Sequence, residues 1–179
     1  MTHQFDEARL VARAKAARLD AFETLVRRYY TRVYRIALRI LGNPADAEDA
    51  TQEAFFDAWR GLPGFQGRST FSTWMYRIVT RRSLKLLRAR RPTEPLTNTL
   101  EAPPANRPDH IVEAASRLEA LERAIADLPP EQRAPLALRE FEGLAYDQIA
   151  EVLEITVPAV KGRLHRARLK LMEAMRPWI

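Results

Sequence analysis

From Arg68 to Thr93 the chain carries Arg68, Arg77, Arg81, Arg82, Lys85, Arg88, Arg90 and Arg91 and no acid. Trp74 and Tyr76 are interleaved with these cations, and Phe65 precedes them. Cations neutralise a phosphate backbone and rings stack on bases, the pairing that single-stranded nucleic acid requires. The bland alternative leaves Phe71, Trp74 and Ile78 in a core and the arginines solvated. A second cationic run, Lys161, Arg163, Arg166, Arg168 and Lys170, follows a different pattern. It lies after Tyr146–Leu153 and the tripeptide Glu154-Ile155-Thr156, with Ala150 small where two helices must cross and Ile155 and Val160 apolar where they would face a core. That is the spacing of a helix-turn-helix, with Thr156 placed to cap the second helix and its cations suited to phosphates and base edges in a major groove. A plain helical hairpin with a solvated basic face is the alternative. Glu154 occupies the turn position that the motif usually gives to glycine, at a cost on the order of 1 kcal/mol if it is held at positive φ.

The opposite sign is concentrated elsewhere. Asp46, Glu48, Asp49, Glu53 and Asp57 are acidic, and no basic residue occurs between Asn43 and Trp59. DNA would repel such a helix, so a protein partner is its more useful reading, beside an ordinary solvated acidic face. Helical di-metal sites pair Glu with a His three residues on, and no His is present here. The three histidines, His3, His110 and His165, fall in different elements; there is no cysteine, no glycine-rich phosphate loop and no nucleophile-base pairing. No enzyme, metal or cofactor is expected from this inventory.

The elements that carry these residues are helices. The chain has 179 residues, 46% hydrophobic and 29% charged, with only six glycines, which bounds it to one domain or two small ones built from helix formers. Its net charge of +6 favours a polyanionic partner. No apolar run approaches the roughly 18 residues that span a bilayer, the first twenty residues mix charges throughout, and cysteine is absent, so a cytoplasmic protein without membrane insertion is expected. Five of the twelve prolines fall in residues 92–108, where apolar periodicity is lost. This reads as a flexible linker between a module of residues 1–91 and one of residues 109–179. The first holds 18 basic and 9 acidic side chains; in the second, residues 109–154 hold 4 and 11, and residues 155–179 hold 6 and 1. The last helix is therefore a cationic rod on an acidic body.

Phe22, Leu25, Val26, Tyr29, Val33, Ile36, Ala37 and Ile40 form an amphipathic stripe that Gly42 ends, and Asn43-Pro44-Ala45-Asp46 opens a second helix running to about Arg60. Gly61, Pro63, Gly64 and Gly67 give a short loop around Phe65, after which helix resumes from about Thr70 until Pro92 stops it. In the second module, Ile111–Leu128, Glu131–Glu142, Tyr146–Leu153 and Val157–Met175 read as four helices.

Together these residues resemble bacterial sigma factors of the sigma-70 family, specifically the short extracytoplasmic-function (ECF) group. Ala21–Val26 with Tyr29-Tyr30, Asp46–Phe55 and Phe65–Ile78 look like that family's region two, and Leu128–Arg133 with the helix-turn-helix looks like region four. The resemblance implies an all-α, two-domain subunit of core RNA polymerase that directs promoter recognition and melting. The alternative is a helix-turn-helix transcription regulator that is not a polymerase subunit; its N-terminal receiver would need alternating strands, and residues 1–91 read as helices. The resemblance implies that Asp49, Gln52, Glu53 and Phe56 dock on the β′ clamp helices of the polymerase, and that the second module meets the β flap. It implies further that Phe65, Gly67, Arg68, Ser69 and Thr70 take a flipped base of the melted non-template strand about ten base pairs upstream of the start, with Trp74, Arg77, Arg81 and Lys85 on the basic helix behind. Duplex DNA about thirty-five base pairs upstream would be read by the helix-turn-helix: Lys161, Gly162, His165 and Arg166 nearest the bases, Arg163 and Arg168 toward phosphates, and Thr156 and Pro158 at the helix start. Many members place Asn and Asp where this chain has Arg81 and Lys85, which bears on the preference at the upstream-ten element. An anti-sigma factor is a common arrangement in the family; no residue of the sequence demonstrates one.

Overall fold

The computed structural model describes residues 2–89 and 109–178, without the side chains of residues 2–5 and 109–114. The proline-rich stretch 92–108, read as a linker, lies outside the described residues, as do Arg90 and Arg91. Among the described residues every regular element is helical, and no helix is long and apolar enough to cross a membrane.

The first module is built on α2 (Leu19–Leu41), whose Ala21, Phe22, Leu25, Tyr29, Val33, Ile36, Ala37, Ile40 and Leu41 are buried at three- and four-residue steps. Each fully buried large side chain of this stripe contributes on the order of 1.5–3 kcal/mol. Gly42, at φ 71°, closes the helix by donating its N–H to Leu38 O at 2.8 Å, in the left-handed conformation that only glycine adopts without strain. Asn43 then caps α3 (Pro44–Gly61), its side chain accepting from Asp46 N at 3.1 Å, with Pro44 in the first turn as expected. Ala47, Ala50, Ala54 and Ala58 line the buried side of α3 and let it lie close against α2. After a single 3-10 turn (Leu62–Gly64), α4 (Phe71–Ala89) packs across both. The sequence reading gave no helix before Phe22, yet α1 (Thr2–Lys15) is present. It docks on α2 through buried Val11 and Ala14, through Arg28 bonded to Asp6 at 2.8 Å, and through the Tyr29 hydroxyl bonded to the Glu7 carboxylate.

In the second module α5 (Asp109–Ala126) leads to α6 (Pro130–Glu140), which is buried from Gln132 to Leu138, the signature of a central helix. The observed bounds of both are shifted by one or two residues from those expected. The two remaining helices, α7 (Tyr146–Leu153) and α8 (Val157–Met175), have the bounds read from the sequence. Val160, Leu164 and Ala167 seat α8 on the core. The modules meet: α6 packs on α2 and α7 packs on α4, so one apolar cluster runs from Val11 to Ala167.

Candidate nucleic-acid interface

The loop between the 3-10 turn and α4 is held from below and from behind. Phe65 packs on Phe71 edge-on, with ring centroids 6.3 Å apart, and on Trp74 at 5.0 Å. Its carbonyl accepts a 2.6 Å hydrogen bond from Lys15 Nζ of α1. Gln66, Gly67 and Arg68 stand exposed beyond it, with Gly67 at φ 70°, where a side chain would strain the turn. Thr70 starts α4: its hydroxyl accepts from Thr73 N at 3.1 Å and lies 2.9 Å from both Ser72 Oγ and Thr73 Oγ1. Phe65, Gly67, Arg68, Ser69 and Thr70 thus line one wall of a cleft of about 680 Å³, and α1 supplies another wall through Val11 and Lys15. The third comes from α7, through Gln148 and Glu151. Neither Lys15 nor these two α7 residues were singled out in the sequence; the long-range contacts that bring them here leave no local pattern.

Along α4, Arg77, Arg81 and Lys85 recur at four-residue steps and share a face. Arg77 bonds Glu151 at 2.7 Å, Arg81 pairs with Glu154, and Lys85 is exposed. Trp74 is half-buried between Phe65, Phe71 and the apolar part of Gly61, so only part of its ring is offered to a base. Tyr76 is a correction to the expectation of a stacking ring. It is buried, and its hydroxyl donates to Glu142 Oε2 at 3.2 Å. Burial, reinforced by the Glu142 charge, pushes its hydroxyl up to about 12, so it stays a donor.

On α3, Asp49, Gln52, Glu53 and Phe56 fall on one exposed face at helical spacing, and Phe56 is 59% exposed, an apolar ring set among carboxylates. Glu53 also lies 3.1 Å from Arg82, and Asp57 accepts from Arg82 Nε at 2.7 Å. The hydrogen bond from Arg82 holds the Asp57 carboxyl below the usual carboxylate range. The acidic helix and the basic helix are therefore tied to each other by one guanidinium.

The helix-turn-helix is formed as read. Glu154 closes α7 in the left-handed region at φ 55°, Ile155 N bonds Ala150 O at 3.1 Å, and Thr156 caps α8 by accepting from Ala159 N at 3.3 Å, with Pro158 in the first turn. Lys161, His165 and Arg166 project into solvent from α8, and Arg163 is partly exposed. Gly162 lies under Arg166, whose Nη1 would meet an added Cβ at 3.5 Å. Arg168 bonds Glu140 at 2.8 Å, an exposed pair that a phosphate could replace.

Comparison with known proteins bears on both modules. The Sigma-70 region 2 family model matches residues 25–93, and the Sigma-70, region 4 model matches residues 118–171. The chain is 35% identical to the RNA polymerase sigma-H factor of Pseudomonas aeruginosa over 192 residues, covering 99% of this chain and 97% of that one. It is 31% identical to the ECF RNA polymerase sigma-E factor of Escherichia coli K12 over 190 residues, covering 100% and 99%. Against the ECF RNA polymerase sigma factor SigE of Mycolicibacterium smegmatis it is 38% identical over 161 residues, 88% of this chain, and spans 62% of that protein's length. Among solved structures, CnrH in complex with the cytosolic domain of CnrY matches with a TM-score of 0.70 at 26% identity, over 96% of this chain and 98% of that one. RpoE from Bartonella quintana, in complex with the anti-sigma factor NepR, shares the fold with a TM-score of 0.68 at 20% identity, over 87% and 96%.

Proposed function

Because the chain belongs to the sigma-70 family of RNA polymerase sigma factors, in its ECF group, we propose that it binds core RNA polymerase through α3, captures the melted non-template strand at the loop before α4, and reads duplex promoter DNA with α8. The observation that carries this reading is the cleft under Phe65–Thr70, walled by the loop and adjoined by the Arg77, Arg81 and Lys85 face of α4. A base turned out of the stack loses a few kcal/mol of stacking and pairing, which a pocket and the adjacent phosphate contacts can offset. Polymerase supplies the bond chemistry; this chain supplies positions.

Asp49, Gln52, Glu53 and Phe56 give α3 a central ring inside a carboxylate rim, which suits a basic helical surface such as the β′ clamp helices. For the second module the matching site is the β flap, with α8 left to face the groove. Lys161, Gly162, His165 and Arg166 lie in its first half, where a recognition helix approaches base edges, and Thr156, Pro158, Arg163 and Arg168 surround them toward the backbone. NepR is an anti-sigma factor held by RpoE, and the likeness of fold supports a partner of that kind for this chain. A regulator acting outside polymerase would have no use for the region 2 match.

Run-off transcription with purified cognate core polymerase and genomic promoter fragments tests the proposal. New start sites that depend on adding this chain are the expected result. Core polymerase that initiates on a control promoter with a different sigma factor but gains no start site with this chain overturns it.

A further inference from the structure

The helix α1 ends on a fixed stop. Ala17, at φ 58°, turns the chain out of the helix: its N–H donates to Ala14 O at 3.0 Å, and Arg18 N–H donates to Arg13 O at 3.2 Å, the paired bonds of a Schellman close. Lys15 therefore stands in the last turn, where the helix dipole favours a cation. The body of α1 is fastened to α2 by buried Val11 and Ala14, by Arg28 on Asp6 at 2.8 Å and by the Tyr29 hydroxyl on Glu7, and Arg13 pairs with Asp20 just beyond the stop. Lys15 is thus presented from a rigid support. Its Nζ donates to the Phe65 carbonyl at 2.6 Å, across 50 residues of chain.

That bond completes a three-point hold on Phe65. The Phe65 N–H donates to Leu62 O at 3.0 Å, and the ring packs on Phe71 and Trp74. Exposed Gln66, Gly67 and Arg68 begin at the held carbonyl. A peptide unit is planar, so fixing that oxygen fixes the plane from which the loop departs. Lys15 also lines the cleft into which the loop opens.

We infer that Lys15, on a helix outside the region 2 match of residues 25–93, is a positioning residue of the strand-capture site: it holds the Phe65 carbonyl, and with it the loop, in the form that receives a base. The inference rests on the reading of the Phe65–Thr70 loop as the base-capturing one. A loop already held need not lose its freedom when the base enters, so the bond contributes to capture through preorganisation. Lys15 is exposed, so the same bond adds little to the stability of the fold. A lysine that only tethered α1 would show the reverse pattern.

Holoenzyme assembled from core polymerase and the full chain tests this, with a fluorescent single-stranded oligonucleotide carrying the non-template upstream-ten element of a promoter found by run-off transcription. Lys15→Met keeps the bulk of the side chain and removes the donor. It should weaken oligonucleotide binding about tenfold, the size of one exposed charge-assisted hydrogen bond, with core affinity and the urea unfolding midpoint unchanged. Lys15→Arg, which retains a donor, should restore most of the loss. Unchanged oligonucleotide affinity in Lys15→Met overturns the inference, as does a Lys15→Arg variant as weak as Lys15→Met. A loss accompanied by a salt slope smaller by about 0.7 makes Lys15 a phosphate contact and overturns the positioning role. Wild-type holoenzyme that does not bind the oligonucleotide removes the base-capture reading itself, and the role of Lys15 with it.

Discussion

The guanidinium of Arg133 donates a 2.8 Å hydrogen bond to the carbonyl oxygen of Ile40, at the end of a helix in the other module. The same side chain donates to Leu128 O at 2.9 Å and to Ala126 O, and only 4% of it is exposed. Among the described residues its hydrogen-bond partners are carbonyl oxygens and not carboxylates. Its counter-charge comes from carbonyl oxygens at the C-terminal ends of α2 and α5, groups that have no partner within their own helices. Burial draws its affinity for the proton below the usual arginine value, with partial compensation from Asp127.

Arg133→Met should therefore destabilise the full chain by about 2–4 kcal/mol, since it removes the side-chain donor from two buried carbonyls and one part-buried one. Arg133→Lys should recover little, because one ammonium cannot span three acceptors arranged for a planar fork. Urea unfolding at equilibrium measures both. A Lys variant as stable as the wild type would assign the stabilisation to charge alone.

What the sequence shows and what it hides divide along chain distance. Gly42, Asn43-Pro44 and Thr156 act within one turn of themselves, so the end of α2 and the starts of α3 and α8 were readable as residue types. The turn at Glu154 was readable too, including its positive φ. The helix α1 left little local signal because Val11 and Ala14 form a narrow stripe among Arg9, Arg13 and Lys15. Docking of α7 on α4 was hidden for a different reason: Arg77 and Glu151 are 74 residues apart, and nothing local distinguishes a paired arginine from a solvated one. Phe65, Gly67 and Arg68 were legible as a loop, but the walls that turn that loop into a cleft come from α1 and α7.

The bond from Arg82 to Asp57 sets an acid limit on the contact between α3 and α4. The Asp57 pKa is lowered in the folded chain, so the folded state binds fewer protons than the unfolded one as pH falls. Its contribution is fully present above the ordinary aspartate value of about 4 and disappears as pH drops through the lowered value. Because both side chains are more than a third exposed, the effect should stay under about 1 kcal/mol. Asp57→Asn should be less stable than wild type at about pH 6, and the gap should narrow as pH falls below the ordinary aspartate value of about 4. A gap of the same size above and below that value would show that Asp57 acts through packing and not through its charge.

Reversal of charge on the exposed face of α3 should weaken polymerase binding. Glu53→Lys also places a cation beside Arg82, so Asp49→Lys, one turn earlier on the same face, is the cleaner variant. Each should reduce affinity for core polymerase by about tenfold if the carboxylate meets a cation at the rim of the interface. Phe56→Ser should cost as much or more, since a central ring carries more binding energy than rim charges. Pull-down titration with core enzyme, on variants whose unfolding curves match wild type, gives the answer. Three unaltered affinities would move the docking surface off α3.

On α8, specificity and affinity should separate by residue. Arg166 stands exposed on the first half of the helix, with Gly162 beneath its guanidinium, so nothing bulky blocks its reach into a groove. A bidentate contact from such a side chain to a base edge discriminates by about 1–3 kcal/mol. Arg166→Ala should therefore flatten base preference at one position of the upstream element. Arg168 instead already satisfies Glu140, and its exchange of that carboxylate for a phosphate would carry no sequence information. Arg168→Ala should weaken binding to all sequences about equally and reduce the salt slope by about one. Titrations of the polymerase holoenzyme on promoter variants, at several salt concentrations, distinguish the two effects. Base preference that survives Arg166→Ala assigns the reading to Lys161 or His165, its exposed neighbours on the same helix.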